Sequence, residues 1–160
     1  MNEKTPAVAL AGLFAAALGV SAATASADTL VEQIDACIGA VGAPADHAEL
    51  CMGIYAQPCM DAPESQTTVG AVSCLRTEFS AWDEILNREY DALSPLLDEE
   101  QSAALWAAQR AWIAYRDADC AFPHVLIRGT MAQAWSMDCV MQHTARRAMT
   151  LRGLLDFMGN

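Results

Sequence analysis

Residues 75–93 read LRTEFSAWDEILNREYDAL, and this stretch decides the fold class. Its large apolar residues recur every three or four positions, which places them on one stripe of a helix. They are Leu75, Phe79, Trp82, Leu86, Tyr90 and Leu93. No window of the chain shows the sustained alternation of apolar and polar residues that a half-buried strand requires. We therefore predict an all-α protein.

Two further long helices follow this one. Pro95 marks the end of the first, and Asp98 is a plausible N-cap for the second because Gln101 occupies the third helical position. Apolar residues cover two adjoining sides of the second helix, so we expect it to pack on two neighbours. Phe122-Pro123 and Gly129-Thr130 predict the end of that helix and a turn. The last helix is predicted from about Ala132 to Phe157.

The part before residue 70 carries a weaker pattern. Leu30 to Ile38 predicts a short helix, and residues 39–44 predict a turn. A second short helix is predicted over residues 46–57, with Asp46 as its cap. Residues 58–68 are predicted to form a polar loop. The whole is then a small disulfide-stapled helical bundle, with two short helices before three longer antiparallel ones.

Residues 1–27 have the composition of a secretory signal. Lys4 precedes an apolar stretch from Ala7 to Val20, and small residues lead to a predicted cut before Asp28. The apolar stretch is shorter than the roughly 20 residues that a spanning helix needs. The first cysteine is Cys37, too late for a lipoprotein signal. We expect a periplasmic or secreted protein with no stable membrane anchor after cleavage.

All six cysteines follow the predicted cut, which is typical of a disulfide framework in an exported protein. Two antiparallel helices bring residues equidistant from their turn side by side. The midpoints of successive cysteine pairs fall in predicted turns, which favours the sequential set among 15 pairings. That set is Cys37–Cys51, Cys59–Cys74 and Cys120–Cys139. Each bond is expected to contribute about 3 kcal/mol. A metal site or other cofactor is not expected, because no C-x-x-C occurs and the histidines lack ligand-like spacing.

The charge of the chain restricts its partners. After the predicted cut, 19 acidic residues and 8 arginines remain, a net charge of −11. Nucleic-acid binding is disfavoured, because neutralising phosphates requires a basic surface. An acidic exported domain attracts basic proteins, although the same charge also serves plain solubility.

Three separated stretches share a pattern with a known family. They read L-N-x-x-Y from Leu86, Q-x-x-W-I-x-Y-R-D-x-x-C from Gln109, and C-x4-T-x2-R-x3-L from Cys139. The pattern resembles the LprI-type lysozyme inhibitor domain over roughly residues 70–155. The resemblance implies a small helical, protein-binding domain over residues 70–158, preceded by a cysteine-containing helical segment over 28–69. It also supports the pairing of Cys120 with Cys139, since both fit the pattern.

The pattern contains a polar and aromatic set that has two interpretations. Its members are Asn87, Tyr90, Gln109, Trp112, Tyr115, Arg116, Asp117, Thr144 and Arg147. The polar members form either a surface that docks a partner or a network that sets helix register, and we favour the network. Arg116 is expected to find its partner on another helix, because adjacent residues point in different directions. Trp82 and Trp112 are predicted to be core residues, whereas Trp106 and Trp135 are candidates for exposed anchors.

Catalysis is not expected from these residues. The serines lie in helical or capping contexts, with no G-x-S-x-G and no histidine placed nearby by spacing. A cystine sulfur has no thiolate with which to attack. Two segments remain as recognition elements, residues 58–68 and residues 121–134. The better candidates are in the second: His124, Arg128, Gly129 and Thr130, followed by Trp135.

Two functions follow from these observations. The first is a protein-binding domain that inhibits a basic, lysozyme-like muramidase by obstructing its cleft with a rigid loop. The alternative is a structural or accessory envelope domain that binds another partner and inhibits nothing.

Overall fold

Five helices form the part of the chain that the computed structural model describes, residues 27–41 and 49–159. They are α1 (Ala27–Val41), α2 (Ala56–Asp61), α3 (Thr68–Leu93), α4 (Glu99–Leu126) and α5 (Met131–Gly159). Single 3-10 turns cover residues 49–51, Pro63–Ser65 and Ser94–Leu96. These described residues contain no strand, so the all-α prediction is confirmed. Residues 1–26 of the predicted signal lie outside them, as does the predicted cap Asp46.

The core lies mainly between α3 and α5. The stripe of α3 faces inward as predicted, and Trp82 at its centre is fully buried. The small buried residues Ala145 and Ala148 of α5 belong to the same core. Thr68 meets Thr130 where α3 and α5 begin, and Glu89 meets Arg152 where they end. Successive long helices therefore run antiparallel, and α3 and α5 are parallel.

The fourth helix, α4, lies at the edge of the bundle. Its start is the predicted capping box, in which Gln101 N donates to Asp98 Oδ1 at 2.8 Å and Asp98 N donates to Gln101 Oε1 at 3.0 Å. Its main contact is with α5, and it touches every other described helix at most marginally. The expectation that α4 packs on two neighbours is therefore wrong. The inward side of α4 meets chiefly α5, and the opposite side carries exposed alanines.

The structure of residues 49–65 differs from the prediction. The predicted helix over 46–57 is wrong within the described residues, because 49–51 form a 3-10 turn and α2 begins only at Ala56. Gly53 adopts φ +86°, which interrupts a helix and favours glycine. The predicted loop over 58–68 is likewise wrong in part, since Pro58 lies in the first turn of α2, where proline is tolerated.

A buried carboxylate explains where α2 begins. Glu78 of α3 is fully buried and accepts hydrogen bonds from the backbone N–H groups of Gly53 (2.5 Å), Tyr55 (3.1 Å) and Ala56 (2.7 Å). Trp82 Nε1 donates to the same carboxylate at 3.2 Å. These backbone donors have no partner within the helix, so the carboxylate fixes the start of α2 against α3.

An ion-pair network connects three helices at the other end of the bundle. Arg152 of α5 lies 2.7 Å from both Asp35 of α1 and Glu89 of α3. Arg88 of α3 contacts the same two carboxylates, at 2.7 and 2.8 Å. Glu89 is nearly fully buried, so these arginines compensate for its removal from water.

Three disulfides staple the bundle. They join Cys37 to Cys51, Cys59 to Cys74 and Cys120 to Cys139, with Cα–Cα distances of 5.9, 5.8 and 5.5 Å. These are the sequential pairs that the positions of the turns predict. Each bond closes one connection: α1 to the 3-10 turn at 49–51, α2 to α3, and α4 to α5.

Candidate functional site

The connection between α4 and α5 forms the candidate site, together with the helix ends that flank it. The prediction that Phe122-Pro123 ends the helix is wrong, since α4 continues through Pro123 to Leu126. Proline removes one intrahelical hydrogen bond. Nearby, Ser136 Oγ of α5 donates to the carbonyl oxygen of Cys120 at 2.6 Å, next to the disulfide. The continued helix is thus held against α5 by a covalent bond and a hydrogen bond.

We call residues 124–135 the hairpin end. The turn itself is short, from Ile127 to Thr130, and Gly129 adopts φ +127°, which side chains rarely permit. Thr130 Oγ1 lies 3.3 Å from Thr68 Oγ1, which ties the turn to the start of α3. The disulfide on one side and this contact on the other restrict the movement of the hairpin end.

The hairpin end exposes large apolar side chains. Val125 is 79% exposed and Leu126 63%, and Met131 and Trp135 are 58% and 53% exposed. The other predicted recognition residues, His124, Arg128, Gly129 and Thr130, are also exposed. All five predicted partner-binding residues therefore lie within the hairpin end, but His124 lines a groove with Val72 and Arg76 of α3, whereas Trp135 lines the groove described below. Met131 and Trp135 are one turn apart on α5, so their exposed side chains are neighbours, and exposed apolar patches are typical of protein-binding sites.

A groove of about 320 Å³ adjoins the hairpin end between α4 and α5. It is lined by Pro123, Trp135, Asp138, Cys139, Gln142, His143 and Arg146. The sequence analysis named Trp135 and Cys139 and included Pro123 in the segment 121–134, but it missed the other lining residues as site candidates. Trp135, Asp138, Gln142 and Arg146 follow one another at steps of three and four residues, so helical spacing alone would have placed them on one side of α5.

Polar contacts at the groove join α4 to α5 and also order side chains along α5. His143 Nε2 lies 2.9 Å from Asp119 Oδ2. The rings of Tyr115 and His143 pack edge to face, with their centroids 5.3 Å apart. Gln142 donates to Asp138 at 2.7 Å and accepts from Arg146 at 3.2 Å. Burial raises the pKa of Asp138, although Gln142 and Arg146 act in the opposite direction.

The groove does not have the chemistry of a metal centre. Asp119, Cys120, Cys139 and His143 have potential ligand atoms within 4.8 Å of one another. However, the two sulfurs are bonded to each other and supply no thiolate. Asp119 and His143 remain, and two ligands are fewer than zinc sites use.

The polar residues of the family pattern do not form one site. Arg147 Nε donates to Gln109 Oε1 at 2.8 Å, which connects α5 with α4, and burial lowers the pKa of Arg147. Thr144 is buried, and its hydroxyl donates to the carbonyl of Val140. Asn87 is exposed on α3 and bonds to Asp83 one turn away. Tyr90 is partly buried against the core.

The prediction that Arg116 finds its partner on another helix is wrong. Its guanidinium contacts the adjacent Asp117 at 2.8 Å and lies over the ring of Trp112, 5.0 Å from its centroid. The long side chain of Arg116 folds back along its own helix, so a neighbour in sequence is within reach. Trp112 is partly buried against the core, whereas Trp106 and Tyr115 are exposed.

Comparison with known protein families shows the family of the chain. The model of the lysozyme inhibitor LprI matches residues 59–151, which is 93 of 160 residues. The chain belongs to the LprI lysozyme inhibitor family. No curated protein and no solved structure gives a match.

The region that matches the LprI model covers only part of the described structure. It begins at Cys59 and therefore includes the Cys59–Cys74 and Cys120–Cys139 disulfides, the hairpin end and the groove. Helix α1 and the Cys37–Cys51 disulfide precede the matched region. None of the described helices is long and apolar enough to cross a membrane.

Proposed function

We propose that this chain is an exported inhibitor of a basic, lysozyme-like muramidase and that its hairpin end docks in the cleft of that enzyme. The observation that carries the proposal is the restrained hairpin end, on which Leu126, Met131 and Trp135 are exposed beside the Cys120–Cys139 disulfide. A restrained element loses little conformational entropy on docking, which favours affinity. A non-catalytic, protein-binding role fits the LprI family.

The net charge of −11 supports a basic partner. Four of the eight arginines, Arg88, Arg116, Arg146 and Arg152, are already paired with carboxylates within the chain. The excess carboxylates therefore determine the field that an approaching protein meets. Such a field accelerates encounter more than it tightens the final complex.

A location outside the reducing cytosol follows from the same features. Three disulfides are typical of secreted or periplasmic proteins, and an inhibitor of cell-wall lysis acts in that compartment. The predicted signal over residues 1–27 provides the route of export.

The test is the lysis of a cell-wall suspension by a basic lysozyme. We expect lysis to slow in proportion to the added domain, and Trp135→Ser to weaken inhibition at least tenfold because it removes an exposed aromatic anchor. Trp106→Ser is the matched control, since Trp106 is 54% exposed but lies on α4 away from the hairpin end. We expect it to inhibit as the unmodified domain does.

Two results would contradict the proposal. Unchanged lysis at saturating domain would remove lysozyme as the target. Equal loss of inhibition in Trp106→Ser and Trp135→Ser would remove the hairpin end as the docking surface. Affinity capture from an envelope extract then distinguishes the remaining alternative, because a structural envelope domain retains assembly proteins in place of a hydrolase.

A further inference from the structure

The side of α4 that faces away from α5 is an apolar helix surface without a partner. Six exposed alanines recur along it at alternating steps of three and four residues, which is the heptad spacing of helices that pack side by side. They are Ala104, Ala107, Ala111, Ala114, Ala118 and Ala121. We call this side of α4, between residues 103 and 122, the outer face.

Two aromatic rings flank this face along one edge, where the Tyr115 ring also contacts His143 of α5. Tyr115 is 57% exposed and Phe122 is 58% exposed. A preference of alanine for helices explains the alanines alone, but it does not explain rings that leave apolar area in water. The face extends roughly 27 Å along the helix, from residue 104 to residue 122.

One edge of the outer face carries two opposite charges. Arg110 and Asp117 are seven residues apart, so they lie on the same edge two turns from each other. The guanidinium of Arg110 lies 4.6 Å from the centroid of the Trp106 ring and takes part in no ion pair among the described residues. Asp117 has a 60% exposed side chain and contacts Arg116.

We propose that the outer face binds the outer face of a second copy of this chain, forming an antiparallel homodimer. In a contact with two-fold symmetry, if residue i of one copy meets residue j of the other, then residue j of the first copy meets residue i of the second. With the axis beside Ala111 and Ala114, Ala111 of each copy faces Ala114 of the other, and Ala107 faces Ala118. Small residues at all these positions allow the two helices to approach closely, near the lower end of the usual 8–10 Å between axes.

This register also pairs the charges, and that is the reason for choosing a second copy as the partner. In an antiparallel pair, each edge of one helix lies along the same edge of the other. Arg110 of each copy then lies beside Asp117 of the other, which gives two opposite-charge contacts across the interface. On the other edge, the Tyr115 ring lies over Ala108, a large side chain against a small one. A parallel pair would set Arg110 beside Tyr115 and leave Arg110 without a carboxylate opposite it.

The dimer is independent of the proposed inhibition. An antiparallel contact directs the two hairpin ends away from each other, so each stays accessible. The interface is short for a specific protein contact, near the lower limit of about 1,000 Å². We therefore expect a dissociation constant on the order of 10 µM, which calls for measurements over a wide range of concentration.

Sedimentation equilibrium of the exported chain tests the proposal. We expect a monomer–dimer equilibrium, and Ala111→Glu should weaken it at least a hundredfold by placing two like charges beside the axis. Ala92→Glu is the matched control, because Ala92 is exposed on α3 and outside the face. A monomer at all concentrations up to about 1 mM, or a dimer that survives Ala111→Glu, would overturn the proposal.

A charge exchange tests the antiparallel register. Arg110→Asp places two carboxylates side by side and should weaken the dimer about tenfold. The double variant Arg110→Asp with Asp117→Arg restores opposite charges in the antiparallel register and should recover most of that loss. A double variant that dimerises no better than Arg110→Asp would overturn the proposed pairing.

Discussion

Burial and neighbouring groups act in opposite directions on the pKa of Asp138, a residue of the groove. Burial raises the pKa of Asp138, and this outweighs the hydrogen bond from Gln142 and the charge of Arg146. A raised pKa in the folded state means that the folded chain binds this proton more tightly than the unfolded chain does. The ionised form at neutral pH therefore reduces stability, and the reduction disappears below the unfolded pKa.

We expect Asp138→Asn to stabilise the fold at neutral pH. The asparagine keeps an acceptor for Gln142 and carries no charge, so the melting temperature at about pH 7 should rise by on the order of 2 °C. The gain should vanish near pH 3, where both states of the parent are protonated. Thermal unfolding followed by circular dichroism measures it. Asp91→Asn, exposed on α3, should shift the melting temperature at neither pH; a gain for Asp138→Asn that is equal at both pH values would contradict this account.

The residue scale also shows where sequence reasoning stops. The capping residues Asp98 and Gln101 are predictable because both partners lie within one turn of a helix. Helical spacing likewise predicts that Trp82 is buried. In contrast, the contacts of Glu78 with residues 53–56 join segments more than 20 residues apart, and no local pattern encodes them. The prediction for Arg116 fails for another reason. Adjacent residues on a helix point in different directions, but the long, flexible side chain of arginine can still reach its neighbour.

Among the elements, α1, α3 and α5 depend on one shared set of charges. Burial alone would raise the pKa of Asp35, but hydrogen bonds from Arg88 and Arg152 lower it overall. The pKa of Arg88 is raised, chiefly by its hydrogen bond with Asp35. Burial acts to lower the pKa of Arg152, but hydrogen bonds with Asp35 and Glu89 outweigh burial and raise it overall. Since the pKa of Asp35 is lowered, its stabilising contribution is present above the unfolded value of 3.8 and is lost as the pH falls through the lower folded value.

We expect Arg152→Ala to reduce the free energy of unfolding by about 2 kcal/mol at neutral pH, because Glu89 stays buried with one fewer partner. The loss should shrink in acid as Asp35 becomes protonated. Arg146→Ala is the matched control: Arg146 pairs with Glu49, and both side chains are about half exposed. That surface pair should contribute less than about 0.5 kcal/mol. Urea unfolding measures both, and equal losses would contradict a special role for the network.

In the whole molecule, the helices form a row in which α5 separates α4 from α3. Helix α4 depends on α5 for almost all its packing, and the Cys120–Cys139 bond fixes its second half. An edge helix of this kind opens more readily than the core, so its local stability is the first to change.

We expect the double variant Cys120→Ala with Cys139→Ala to lower the free energy of unfolding by about 3 kcal/mol. Hydrogen exchange should accelerate in the second half of α4 and leave the centre of α3 protected. The variant that lacks Cys59 and Cys74, replaced in the same way, should instead loosen α2. Unchanged exchange in α4 after loss of its disulfide would show that packing on α5 alone holds the helix.

The order of the helices in this row was not predictable from the sequence. The apolar spacing predicts both ends of α5 and the end of α3 within about two residues, because each helix buries one clear stripe. It does not predict the start of α3, which lies seven residues before the stripe begins at Leu75. Helix α4 has alanines on its outer side, and the spacing cannot distinguish a side that meets another helix from one left open. The hairpin end was predicted through its turn residues, whereas the groove beside it depends on two helices meeting.

Each cystine joins a cysteine to the next one along the chain, and no bond crosses another. A polypeptide that threads through a translocation pore from its amino end presents its thiols in that same order. An oxidase that couples every newly emerged thiol to its predecessor thus generates the native connectivity directly. On the proposed route of export, maturation of this protein therefore needs an electron acceptor outside the membrane and no enzyme that reshuffles wrong bonds.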